Sequence, residues 1–191
     1  MQRAPTSEAM RRPIREAIID ASPLMNLLAL HYLRMRNAEG VRLDPDRVLK
    51  GDAADKYLLG HRDNQKEFLA FFDNISILHT TSHVVGELQG LCGKFDIDDS
   101  ARKRFWSISL DYLREHGFEE ARIKLLKLGS HESYRDWIGI IGPPDTGLIY
   151  LTFMKKKDDT PPPLLTDDEK LHAKAHEFNV DCLLVRAHLG L

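Results

Sequence analysis

Short runs of β-forming residues alternating with longer helical patterns constrain this chain more than any other feature. Residues 14–19, ISILHT, PLLT and VDCLLV read as strands, being short, apolar and rich in branched side chains. ARIKLLKL reads as a further strand, with helix as its alternative. Between the strands, ASPLMNLLALHYLRM predicts a helix with Ser22 as N-cap, Pro23 at the first helical position, and Leu24, Leu27, Leu28 and Leu30 on a buried face. KEFLAFFDN, SHVVGELQGL and ARKRFWSISLDYLREHG also read as helices, the last stopping at Gly117. Gly-Pro-Pro at 142–144 breaks the chain before a helix in DTGLIYLTFMKKK, and TDDEKLHAKAHEFN is helical. This alternation predicts an α/β fold: a three-layer α/β/α sandwich around a mostly parallel sheet.

A length of 191 residues suits one well-buried domain. It is expected over residues 14–191, after a polar leader at 1–13 that carries Pro5 and Pro13. Residues 36–62, with their Gly, Pro and charges, read as an irregular insertion, and KKKDDTPPP reads as a linker loop. The net charge of −2 does not by itself point to a nucleic-acid binder, although a local basic patch is enough for many nucleases. Cys92 and Cys182 form no metal-type pair, so a reducing compartment is the default. No segment approaches the roughly 20 apolar residues of a membrane span, and the short apolar run after the N-terminal arginines is no signal peptide. The expected location is cytoplasmic.

Four acids stand at the ends of these segments. Asp20 closes AIID, Glu87 sits inside HVVGELQGL, Asp145 opens DTGLIYL, and Asp168 follows PLLTD. Ligands of open α/β sheets collect at the carboxyl ends of the strands, so the fold can gather all four. Carboxylates without a cationic partner make a hard, oxygen-rich site suited to Mg²⁺ or Mn²⁺, and such a site points to phosphodiester cleavage. Each acid also has a plainer reading. Asp145 can cap its helix. Thr166 and Glu169 form a T-x-x-E capping box, with Asp167 and Asp168 as first-turn acids. Glu87 can be a solvated helical residue. Asp20 resists such a reading, because a carboxylate at the tip of an apolar strand is costly unless paired or ligated.

In order and setting, these segments resemble the PIN-domain nucleases, a family that includes toxin ribonucleases and RNA-processing enzymes. IIDASPLMNLL resembles the first motif, HTTSHVVGEL the second with its helical Glu, PPDTGLIYL the third, and LLTDDEKLHAKAHEFNV the fourth. The likeness spans residues 14–186. It implies a metal-dependent endoribonuclease with Asp20, Glu87, Asp145 and Asp168 as catalytic, metal-binding acids. Ser22 and Thr166 would support them by hydrogen bonds. Asp167 is the less favoured fourth acid, because the family places that acid two residues after the Thr. Mg²⁺ or Mn²⁺ would be the cofactor and RNA the substrate. An antitoxin, another protein partner or a second copy of the chain would be the macromolecular partners. A catalytically inactive PIN-like module that binds RNA or protein is the alternative. The span between Asp20 and Glu87 and the KKKDDTPPP connection are longer than in compact toxin members, and Gly147 stands where Ala is common.

The remaining features carry less. Arg102, Lys103 and Arg104, or Lys155, Lys156 and Lys157, are candidate phosphate contacts, though charge runs are more often solvated faces. Phe105 and Trp106 suit core packing better than base stacking. The apolar positions of 104–113 could serve a homodimer. His172 and His176 have the i, i+4 spacing of metal ligands, but HAKAH lacks the Glu of the metalloprotease motif, so a surface or packing role is expected. No G-x-G-x-x-G or P-loop pattern occurs.

Overall fold

The computed structural model describes residues 13–41, 62–93, 97–157 and 160–190. Strands β1 (Glu16–Ile19), β2 (Ile77–Thr81), β3 (Phe118–Ala121), β4 (Leu164–Thr166) and β5 (Cys182–Leu184) form one all-parallel sheet in the order β3-β2-β1-β4-β5. The central strand β1 is nearly devoid of exposure, as a strand covered on both faces must be: Ala17, Ile18 and Ile19 are fully buried. Ile18 registers with His79 on one side and Leu164 on the other.

The helices are α1 (Ala21–Ala38), α2 (Arg62–Asp73), α3 (Ser82–Cys92), α4 (Asp99–Glu115), α5 (Leu125–Leu128), α6 (Glu132–Ile141), α7 (Pro143–Met154), α8 (Glu169–Glu177) and α9 (Val185–Leu189). The chain moves outward from β1 through β2 to β3, then returns past β1 to β4 and β5. With right-handed crossovers, that reversal sends the first helices to one face and the later ones to the other. Contacts follow this division: α1 packs on α2, α3 and α4, while α7 packs on α5 and α6, and α6 on α8. The architecture is a three-layer α/β/α sandwich.

Helix α1 buries more residues than any other described helix. Its first three turns are enclosed all round, from Pro23 to Leu33, well beyond the single apolar face expected from Leu24, Leu27, Leu28 and Leu30. Each fully buried Leu contributes about 1.5–3 kcal/mol of transfer free energy. Most apolar positions of 104–113 are likewise spent in the core: Phe105, Ile108, Tyr112 and Leu113 are buried, and Leu110, at 60% exposure, remains outside.

Three expectations require correction. The N-cap of α1 is Asp20, whose carboxylate accepts from Ala21 N at 2.6 Å, and Ser22 lies inside the first turn. The cap of α8 is Asp168, which accepts from the N–H groups of Lys170 and Leu171, so the Thr166–Glu169 capping box does not form. The strand expected in ARIKLLKL is instead the preceding FEEA, and Leu125–Leu128 is a helical turn. An edge strand pairs on one side alone, so β3 can carry Glu119 and Glu120 where a central strand cannot. Helices α6 and α9 also lie where no element was expected. The leader at 1–12 and residues 42–61 of the insertion fall outside the described residues, while 36–38 still belong to α1.

Candidate metal centre

The sheet order fixes where a ligand can sit. The strand sequence reverses direction between β1 and β4, and open α/β sheets bind at the carboxyl edge of that switch point. Asp20 is the residue immediately after β1, and Asp168 lies two residues past β4. Glu87 is carried by α3, which leaves β2 without a connecting loop. Strands β2, β1 and β4 are adjacent, so three of the four acids leave neighbouring strands. Helix α7 crosses those same strands, contacting each of them. Because it runs back against β4, its first turn, with Asp145, lies at the same edge.

Local bonding holds these acids. Both oxygens of Asp20 are engaged, Oδ1 by Ala21 N and Oδ2 by the Thr166 hydroxyl, which donates at 2.7 Å. Thr166 Oγ1 in turn accepts from Asp168 N at 3.0 Å, so one hydroxyl ties β1 to the start of α8. The two cap bonds of Asp168 both land on Oδ1. Asp145 stands in the first turn of α7, where the N-cap is Gly142 and its φ is +87°. Thr146 fastens that turn by donating its hydroxyl to the Gly142 carbonyl at 2.7 Å.

The electrostatics couple these acids to one another. Burial pushes the Asp145 carboxyl up to about 7, and the charges of Asp20, Asp168 and Glu87 push in the same direction. Asp20 is raised chiefly by burial, against the bonds from Thr166 and Ala21, with Asp168 and Asp167 adding repulsion. Glu87 is raised by burial and by Asp20, with His83 opposing. The four acids therefore share one electrostatic environment. Even so, among the described residues no three His, Cys, Asp or Glu side chains are gathered tightly enough to hold one ion directly.

Asp167 has a different place. Its side chain is 2% exposed, accepts from Asn26 Nδ2 at 3.4 Å and Arg186 N at 3.2 Å, and lies 3.6 Å from Arg186 Nε. It braces α1 and α9 against the end of β4, and burial raises its carboxyl although the Arg186 charge and the bonds from Arg186 and Asn26 pull the other way. Asn26 and Arg186 were not expected at the site. A lone Asn inside LMNLLAL is the signal that could have flagged the first. Arg186 shows no pattern in the sequence. His83 was also missed. It lies one turn before Glu87 on α3, and its Nε2 is buried without a hydrogen-bond partner.

The proposed basic clusters are largely committed elsewhere. Arg102 pairs with Asp99 and Arg104 with Glu39, while Lys155 pairs with Glu119 and Lys157 with Glu16. Phe105 and Trp106 meet edge-to-face, with Phe105 in the core. Both thiols are buried, and burial pushes Cys182 up to about 12, which removes it as a nucleophile at neutral pH. No helix among the described residues is long and apolar enough to cross a membrane. No family model matches the chain, nor does any curated protein or solved structure.

Proposed function

We propose that this protein is a metal-dependent ribonuclease of the PIN type, cleaving RNA phosphodiester bonds at the carboxyl edge of its sheet. The observation that carries the reading is the sheet order, which brings Asp20, Glu87 and Asp168 to the ends of neighbouring strands beside Asp145, a half-buried carboxyl raised to about 7 by burial and then by those three acids. Carboxylates that repel one another and have spare oxygen lone pairs fit a hard divalent cation. Asp20, Asp145 and Asp168 would hold Mg²⁺ or Mn²⁺, in part through the waters such an ion usually keeps, with Glu87 as a further ligand or as the group orienting the attacking water. When bound, the cation would neutralise the scissile phosphate and lower the pKa of a water.

The chain's own residues supply positioning and proton handling. Thr166 fixes the Asp20 carboxylate and, through Asp168 N, the start of α8. Glu87 is exposed at the rim and has a raised proton affinity, which suits it to accept a proton from water. Arg122 and Lys124 are exposed just past β3 at the same edge and could meet backbone phosphates. The choice of RNA as substrate, and of an antitoxin or other protein as partner, rests on the likeness of the four motifs.

Asp20→Asn is expected to leave the fold intact and abolish Mn²⁺-dependent cleavage of single-stranded RNA. Undiminished cleavage by a clean preparation of that variant would defeat the proposal. The second reading is an inactive RNA- or protein-binding module. Calorimetry with millimolar Mn²⁺ separates the two readings, since an inactive module takes up no ion at the acidic rim.

A further inference from the structure

Helix α8 carries a second constellation, away from the acids at its cap. His172 and His176 lie one turn apart, and their Nε2 atoms face each other at 3.1 Å. Two protonated nitrogens cannot share that distance comfortably, so at least one presents a lone pair. The main chain of Cys182 on β5 lies beside the His172 ring and favours its charged form. A main-chain partner of this kind helps to hold an imidazole in place for a metal ion.

The separation matches coordination. Two Zn–N bonds of about 2.0–2.1 Å to nitrogens this far apart subtend roughly 95–102° at the ion, between the octahedral and tetrahedral angles. Imidazole pairs select borderline ions such as Zn²⁺, Ni²⁺ and Cu²⁺, whereas carboxylate sites select Mg²⁺ and Mn²⁺. Burial, and then the neighbouring His176, lower the His172 pKa, so its ring is neutral at physiological pH. His176 is exposed, leaving that side open for water to complete the coordination sphere.

We propose that His172 and His176 form a two-imidazole clamp for a borderline divalent transition-metal ion of the Zn²⁺ class, distinct from the acidic rim. Such a clamp staples one turn of the helix whose cap is Asp168 and ties it to β5. It does not depend on the ribonuclease reading.

The test titrates the full chain with Zn²⁺ alone by calorimetry, in parallel with His176→Ala and with Asp145→Asn. His176 is exposed, so its removal should leave the fold standing, and thermal unfolding without metal checks this. The expected result is a Zn²⁺ site, separate from any uptake at the acidic rim, that weakens at least tenfold in His176→Ala, persists in Asp145→Asn, and is not displaced by excess Mg²⁺. The Cu²⁺ complex should give an electron paramagnetic resonance spectrum with two nitrogen ligands, falling to one in the variant. Equal Zn²⁺ affinity in wild type and His176→Ala overturns the clamp, as does a site lost in Asp145→Asn or the absence of any Zn²⁺ binding.

Discussion

At the amino side of the sheet, Glu16 and Glu119 flank the buried His79 at 2.7 and 3.1 Å, and Lys157 and Lys155 meet those same carboxylates. At the carboxyl edge, Asp20, Glu87, Asp145 and Asp168 repel one another across the switch point. The proton affinities move in opposite directions. Burial would raise Glu16, but its bonds to Lys157 and His79 outweigh that and lower it. The Lys155 bond lowers Glu119. Asp20, Glu87 and Asp145 are all raised. One protein thus builds both a matched charge network and an unmatched one. A matched network ties strands together, whereas an unmatched one is a cost that a folded chain tolerates where function needs it.

The largest effect expected from breaking the unmatched cluster is on activity. Asp145→Asn should lower Mn²⁺-dependent RNA cleavage by at least about a thousandfold, comparable to removing a principal charge-stabilising group. Single-turnover assays against the parent chain measure this directly.

The same substitution should act on stability with the opposite sign. The Asp145 carboxyl binds its proton more tightly folded, at about 7, than unfolded, near the ordinary 3.8. Its contribution is therefore fully present below about 4 and is lost as pH rises through about 7. Without divalent ions, Asp145→Asn should exceed the parent in stability at pH 8, by on the order of 1–2 kcal/mol after solvent screening of a half-exposed group, and match it near pH 4. Urea melts at the two pH values read this out. Millimolar Mn²⁺ should narrow the gap at pH 8, since a ligand of the native state alone stabilises it.

The matched network predicts a loss instead. Glu16→Gln removes the charge that faces both His79 and Lys157, leaving a buried imidazole with a weaker partner. A cost of about 1–2 kcal/mol is expected at neutral pH, with RNA cleavage unchanged. A stabilised variant would show that the network is no better compensated than the rim.

Much of the rim was legible because its acids sit at element boundaries. A carboxylate ending an apolar strand, or opening a helix after Pro-Pro, is conspicuous against its neighbours, and βαβ topology dictates which edge it reaches. Local caps were less legible. Ser22 and Thr166 are good cap residues, yet Asp20 and Asp168 lie closer to the free N–H groups, and Thr166 is drawn instead to Asp20. Compensation was invisible: that Asp167 would turn inward to Arg186 while Asp168 stayed at the rim depends on a partner 19 residues away. The His79 network has no sequence signature either, because its members meet only through strand register and the return of α7.

The smallest expected effect separates charge from helix stability at the rim. Gly147 lies two residues after Asp145, fully within α7, with no positive φ. A Cβ there would meet Thr81 Cγ2 at 3.8 Å and Ile123 Cδ1 at 4.0 Å, which is ordinary contact. Gly147→Ala should thus stabilise the protein by roughly 0.5–1 kcal/mol through helix propensity and reduced freedom of the unfolded chain. Gly117→Ala is the contrasting control. At φ +61°, its Cβ would come within 2.7 Å of the Ser76 carbonyl oxygen, so it should destabilise. If Gly147→Ala firms α7 while leaving the pH dependence of stability and the rate of cleavage unaltered, the behaviour of Asp145 comes from its burial and its neighbouring charges. A pH profile that shifts with Gly147→Ala would instead assign that behaviour to the mobility of the helix that carries it.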